Sequence, residues 1–359
     1  MKRKTNIHSS LPPQTGKAAF SKLLASAELS LEKSQKILEA LPSIKLIYIL
    51  KLREAFFSLY TQGMDIDLER VCELKIKKRS SSIFINRINN LLKAIELIEK
   101  TTPKTAIDAR FFEKLHSLVE KDFGKIKEDV GHIRKRQNWI GPKDCSIEEA
   151  FFLPPPPSKV PELLRELSSY IDKEEKPLLQ IGISFAHFLG IHPFMDGNGR
   201  VARLLPAALM KKKKILNSSV LYLSEYFLIH RIEYLKELQD LTMKKDWGKW
   251  LKLYSKAIKE ESQTLSIRLG MIASFYHKLD KILKDELSYS ERKKVLIFLF
   301  QHPVFTHALL KKKVPLAPRL IKKALDILVK KKAIIKKEHS LLIVPQLFTI
   351  ALKKKKPGF

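Results

Sequence analysis

The 359-residue chain is poor in cysteine and glycine and has no long apolar run. Two cysteines, Cys72 and Cys145, cannot build a disulfide framework or a cysteine-based zinc site; they read as reduced, partly buried thiols. No uninterrupted apolar stretch approaches the roughly 18 residues of a membrane span, so no membrane insertion is expected. The N-terminal "MKRKTNIHSSLPPQTGK" is charged but lacks the apolar centre of a secretory signal. A cytoplasmic protein is expected, with secretion into a host cell left open. No G-x-x-x-x-G-K-[ST] occurs, which removes the Walker-type NTPases from consideration.

Acidic side chains are also scarce, 38 against 68 Lys and Arg, for a formal net charge of +30. Residues 291–359 hold 18 basic and 3 acidic side chains, so about a fifth of the chain carries half of that excess. A local excess of this kind suits an acidic partner: nucleic acid, an anionic membrane or a nucleotide. Elsewhere lysine is spread widely and reads equally well as a solvated surface.

What the chain does have is helical periodicity, with 45% hydrophobic residues. The expected fold class is mainly α, with a short β-hairpin and a C-terminal winged helix-turn-helix. Residues 1–18 read as disordered, behind the breaker "LPPQTG". From 19 to 105, runs such as "KLLASAELSLEKSQKILEAL" repeat apolar residues every three or four positions. Segment 124–157 breaks the pattern and reads as a long functional loop with a hairpin near Gly141-Pro142, closed by the stiff prolines 154–157. "LLQIGISFAHFLGI" is apolar on most sides and reads as the buried central helix. "VARLLPAALMKKKK" reads as a further helix, kinked at Pro206. Residues 261–289 read as a connecting helix. In 290–350, three helices precede two β-like runs, "AIIKKE" and "SLLIVPQL", a winged-helix pattern. Its third helix, with Arg319, Lys322, Lys323 and Lys330–Lys332, has the charge to enter a DNA groove. Residues 351–359 form a basic tail. Trp139, Trp247, Trp250, His116 and His187 read as packing residues.

The stretch "IHPFMDGNGRVAR" (191–203) is different. "GNGRVA" fits a dinucleotide fingerprint, but the preceding segment is helical and no parallel-sheet pattern surrounds it. The remaining geometry is a loop feeding the N-terminus of a helix. That N-terminus has free N–H groups and partial positive charge, which attract phosphate. Gly197 and Gly199 allow close backbone approach, and Asn198 can offer an amide donor. Arg200 and Arg203, three apart, share one helix face. Asp196 is a hard carboxylate suited to Mg²⁺ beside phosphates, and His192 can take a proton near neutral pH. Together they suit transfer from a nucleotide phosphate to a hydroxyl.

"HPFMDGNGRVAR" resembles the Fic family motif H-P-F-x-[DE]-G-N-G-R-x-x-R at every specified position. "GHIRKRQNWIG" with "AFFLPPPP" is similar to the family's flap, about 137–157, which pairs with a target backbone. "REAFFSLYTQG" (53–63) resembles its inhibitory helix. The resemblance implies a helical Fic core over 106–260, with AMP moved from ATP to a Ser, Thr or Tyr hydroxyl of a protein. The resemblance leaves open that the protein itself is one such target and that it forms a homodimer. The resemblance makes His192 the general base and Asp196 the Mg²⁺ ligand. It sets Gly197, Asn198, Gly199 and Arg200 on the α- and β-phosphates, Arg203 on the γ-phosphate and His230 near the adenosine, where many members have Asn.

The departures matter. The family's inhibitory motif is [ST]-x-x-x-E-[GN]; here it is Ser58-x-x-x-Gln62-Gly63. A neutral Gln62 can bond Arg203 without an ion pair, so weakened autoinhibition is expected. Removal of AMP, which leans on the missing Glu, is correspondingly disfavoured. Leu189 stands where many members have Glu. A different phosphate donor stays open. A DNA-binding regulator with an inert or nucleotide-sensing Fic core is the alternative from another class.

Overall fold

The computed structural model describes residue 11 and residues 18–60, 67–76, 83–123, 126–142 and 144–353. The expectations for 1–18, for most of the tail 351–359, and for Gln62 and Gly63 fall wholly or largely outside these residues.

The first half is helical: α1 (Ala18–Ala40), α2 (Tyr48–Tyr60), α3 (Leu68–Ile76), α4 (Ile83–Glu99) and α5 (Ala109–Val119). After the irregular segment come α6 (Val160–Asp172), α7 (Pro177–Ile191), α8 (Asn198–Lys212), α9 (Ser224–Ile229), α10 (Arg231–Lys244) and α11 (Trp247–Leu283). The chain closes with α12 (Tyr289–Gln301), β1 (Val304–Thr306), α13 (His307–Lys313), α14 (Pro318–Lys330), β2 (Ile335–Lys337), β3 (Leu341–Ile343) and α15 (Pro345–Leu352). No helix among the described residues is long and apolar enough to cross a membrane.

Contacts divide the chain into two compact units. One takes the chain up to Glu32 together with Asn89–Ser262; the other takes Lys33–Ile88 and everything from Gln263 onward. The boundaries fall inside α1, α4 and α11, not at the segment edges that sequence composition suggests. No separate connecting helix exists at 261–289, because α11 runs unbroken for 37 residues.

In the first unit α7 is the core element. All its residues from Gln180 to Ile191 are buried, as its all-round apolar sequence requires. α6 and α8 pack on it, and α5 packs on α8. Trp250 of α11 is fully buried and donates its indole N–H to the Gly182 carbonyl of α7 at 3.0 Å. α5 begins where the Asp108 carboxylate caps the Phe111 N–H at 3.0 Å. α8 carries Pro206 within its span and runs from Asn198 to Lys212 as one helix.

The expected hairpin is one antiparallel bridge, Ile140 with Phe152. Trp139 is 41% exposed rather than packed, its indole N–H held by the Cys145 carbonyl at 3.1 Å.

In the second unit α2 packs with α12 and α15, and α3 packs on β1. The three strands form an antiparallel sheet in the order β1-β3-β2. Periodicity anticipates α12, α13, α14, β2 and β3 but not the three-residue β1. It also extends the last strand to Leu347; Pro345 instead opens α15, where a helix tolerates a missing N–H.

Candidate active site

The loop His192–Gly197 joins α7 to α8 inside the first unit. Two left-handed residues shape it. His192 ends α7 at φ 51°, and Gly197 opens α8 at φ 74°. A non-glycine residue in that region costs about 1–2 kcal/mol. His192 accepts that cost, which is an observation typical of functional positions.

The His192 Nδ1 lies 3.2 Å from the Leu189 carbonyl. A carbonyl can only accept, so Nδ1 carries the proton and Nε2 holds the lone pair. Burial pushes this imidazole down to about 4, outweighing the bond to Leu189, and the nearby Arg134 charge acts in the same direction. At neutral pH the ring is therefore uncharged with an open acceptor nitrogen. Leu189, where the resemblance leads one to expect Glu, serves through its backbone.

Arg134 holds the loop from the other side. Its Nε donates to the His192 carbonyl at 2.8 Å, one Nη to the Pro155 carbonyl at 2.5 Å, and its own N–H to the Pro193 carbonyl at 2.9 Å. The Asn138 amide donates to the Phe194 carbonyl at 2.8 Å. The irregular segment is thus bonded to the loop at three successive residues, His192, Pro193 and Phe194.

His116 supports the loop from beneath. It accepts the Gly131 N–H at Nδ1 (2.9 Å), which leaves the proton on Nε2 to donate to the Asp196 carbonyl at 3.1 Å. Its ring stacks on Phe194 at 3.9 Å. Burial pushes it down to about 4, against the bond to Asp196. It is more than a packing residue, and it remains a scaffold one.

Asn198 is buried and clamps the loop. Its Oδ1 accepts the Phe194 N–H at 2.9 Å and its Nδ2 donates to the Phe194 carbonyl at 2.7 Å. The loop's own backbone takes one of the two N–H donors of this amide. Gly199 lies so close to Arg203 that a Cβ there would sit 3.3 Å from a guanidinium nitrogen.

Arg200 and Arg203 are 4% and 9% exposed. Arg200 sits in a built cradle. Its Nε meets the Glu120 carboxylate at 3.0 Å, an Nη meets Asp196 at 3.4 Å, and Phe123 lies under the guanidinium at 3.8 Å. Glu120 is itself buried, and it presses on Gly197, where a Cβ would meet Glu120 Oε1 at 2.4 Å. Arg203 donates from Nε to Ser224 Oγ at 3.1 Å. Ser224 opens α9, and His230 follows that helix, stacked on Tyr226 at 4.3 Å. Sequence reasoning missed Glu120, Arg134, Asn138 and Ser224. Each acts from a different segment, and no local spacing signals it.

Of the carboxylates that line the cleft beside the loop, Glu120 is paired with Arg200 and Asp129 with Arg136, which leaves Asp196 as the exposed one on the loop. Asp196 is 80% exposed at its side chain, and its Oδ1 accepts the Gly197 N–H at 2.6 Å. No group of three or more metal-binding side chains exists among the described residues. That donor set fits a hard cation whose other oxygens come from phosphate and water. Beside the loop opens a cleft of about 530 Å³ lined by Asp196, Met195, Ile126, Asp129, Arg136 and Trp139.

Residues 106–210 match the model of the Fic/DOC family. A protein of Aquifex aeolicus (strain VF5) named "Probable protein adenylyltransferase" is 30% identical over 177 residues, 44% of this chain. The match spans 55% of that relative's length, little more than half. A Fic family protein from Desulfovibrio desulfuricans G20 superposes with a TM-score of 0.61 at 18% identity, covering 93% of this chain and 98% of its own. Fic-1 from C. elegans reaches 0.53 at 17% identity, over 71% of this chain and 74% of its own. At these identities the structural likeness is one of fold.

Proposed function

We propose, from the match of residues 106–210 to the Fic/DOC family model, that this chain is a protein adenylyltransferase moving AMP from ATP to a hydroxyl side chain. The observation that carries this reading is the tautomer of His192. Its Nδ1 is committed to Leu189, so Nε2 is the acceptor, and two buried arginines follow on the adjoining helix.

The acceptor hydroxyl attacks the α-phosphorus of ATP while His192 Nε2 takes its proton. The bond from the α-phosphorus to the bridging oxygen breaks, and pyrophosphate leaves. Arg200 and Arg203 bind the phosphate charge, and the N–H groups at the start of α8 face the same oxygens. Asp196 would hold the Mg²⁺ that accompanies ATP, and the ion would supply charge neutralisation at the phosphates. The flap, whose bridge at Ile140 lies beside the exposed Trp139 and Phe151, aligns the target segment by strand addition.

Incubation with α-labelled ATP and Mg²⁺ tests the proposal, with the chain as its own acceptor or with a cell extract. The wild type transfers label to protein, and His192→Ala loses it by about 10²- to 10⁴-fold, the contribution of a general base. Absence of label with the wild type, or equal labelling with the variant, overturns the reading.

A further inference from the structure

A second charged region lies in the unit that holds α12–α15. Between His307 and Ser340 there are eleven Lys and Arg and two acidic residues, and all thirteen are exposed. α14 is strongly two-faced. Ile321, Ala324, Leu325 and Leu328 are buried, while Arg319, Lys322, Lys323 and Lys330 are exposed, sharing the outer face with one acid, Asp326.

We propose that α12–β3 is a winged helix whose α14 binds duplex DNA, and that α3 holds its hairpin partly neutralised. The inference is independent of the transferase reading. A helix about 10–12 Å wide fits a major groove about 12 Å wide, and basic residues spread over about three turns of one face meet phosphates on either side. The β2–β3 hairpin carries Lys336 and Lys337, both exposed, next to that helix in the chain. A membrane surface is the other anionic partner. A helix lying in a bilayer needs large apolar residues beside its basic ones. Here the apolar face of α14 is already used by the core, and Ile335 at 38% is the one large apolar residue exposed between 307 and 340.

The hairpin is not presented bare. Lys337 pairs with Glu69, and with Glu73 at 3.5 Å; both acids lie on α3. Glu73 is steadied by Arg70 at 2.8 Å. These two carboxylates occupy the ammonium that a DNA phosphate would otherwise take. On α14, Lys323 pairs with a single carboxylate, Glu286, whereas Lys337 faces two. α3 therefore acts as a charge mask on the hairpin, and its removal strengthens binding without any change to α14.

The test uses the full chain and a random-sequence 20-base-pair duplex, read by fluorescence anisotropy over 50–200 mM salt. Wild type binds with a Kd on the order of 10⁻⁶–10⁻⁴ M, weakening linearly in log–log with salt. Arg319→Ala with Lys322→Ala weakens binding at least about tenfold and flattens the salt slope by roughly 2, with an unchanged thermal midpoint. Glu69→Gln with Glu73→Gln tightens binding and steepens the slope by about 1, one further phosphate contact. Lys100→Ala with Lys104→Ala, an equal loss of net charge on exposed residues elsewhere, serves as control. The proposal is overturned by no binding at 50 mM salt or by equal weakening in the control. It is also overturned by capture on vesicles containing about a third anionic lipid without capture on duplex. Unchanged affinity on losing both α3 charges overturns the masking.

Discussion

The two arginines at the start of α8 and the lysines on α14 are both positive clusters on helices, and they obey different physics. Arg200 and Arg203 are removed from water, so each must have a partner; Glu120 and Ser224 supply it. The α14 cations sit in water, where each is worth little alone and the set acts as a field. A buried charge specifies a geometry, held by residues far away in sequence. An exposed run specifies a preference for acidic partners and leaves orientation to the helix that carries it. This contrast can be tested by removing single charges from each cluster.

The largest loss of stability follows removal of the buried partner. Glu120→Ala strands the Arg200 guanidinium and costs about 3–5 kcal/mol, read as a drop in denaturation midpoint. Glu120→Gln keeps an acceptor for Nε and costs less. If Glu120→Ala were silent, Arg200 would not depend on this carboxylate, and the contrast with α14 would fail.

Gly197→Ala comes next. The left-handed backbone costs about 1–2 kcal/mol for any residue with a Cβ, and the added carbon meets Glu120 at 2.4 Å. Glu120 must shift, and Arg200 shifts with it. The expected result is a loss of roughly 2 kcal/mol or more in stability together with weaker ATP binding in calorimetry. An unchanged affinity would show that Glu120 does not set the guanidinium position.

These residues also show what was legible in the sequence. The loop, its two glycines and its arginines were readable, because phosphate binding at a helix start uses residues within a dozen positions of one another. The buried central helix was readable from its apolar run. Glu120, Arg134 and Asn138 were not, since each reaches the loop across tens of positions; Arg134 meets His192 at a separation of 58. The clamp of Asn198 on Phe194 was not legible either, because residue type does not say that an amide holds its own loop. In the second unit β1 was hidden by its three-residue length, and α15 by a proline that looked like the end of a strand.

The pH profile should show a smaller effect. Burial holds His192 down to about 4, so the neutral ring that can take a proton persists throughout the physiological range. Transfer should be nearly flat from pH 8 to about 5.5 and fall tenfold per unit below about 4, as the ring protonates. Single-turnover labelling over that range measures it. A fall centred near pH 6.5 would mean an ordinary, solvated imidazole and would remove burial from the account.

The smallest effects belong to α14. Lys322→Ala removes an exposed charge from a face it shares with Arg319, Lys323 and Asp326, so stability should change by no more than about 0.5 kcal/mol. Lys323→Ala also breaks the pair with Glu286, and that pair is exposed on both sides, so at most about 1 kcal/mol is at stake. Relief of repulsion among the lysines can make either change slightly stabilising. Chemical denaturation of both variants beside Glu120→Ala makes the comparison direct. A loss of several kcal/mol from either lysine would mean that α14 depends on those side chains for its fold. The outer face would then be structural, and its charge would no longer be available to define a binding surface.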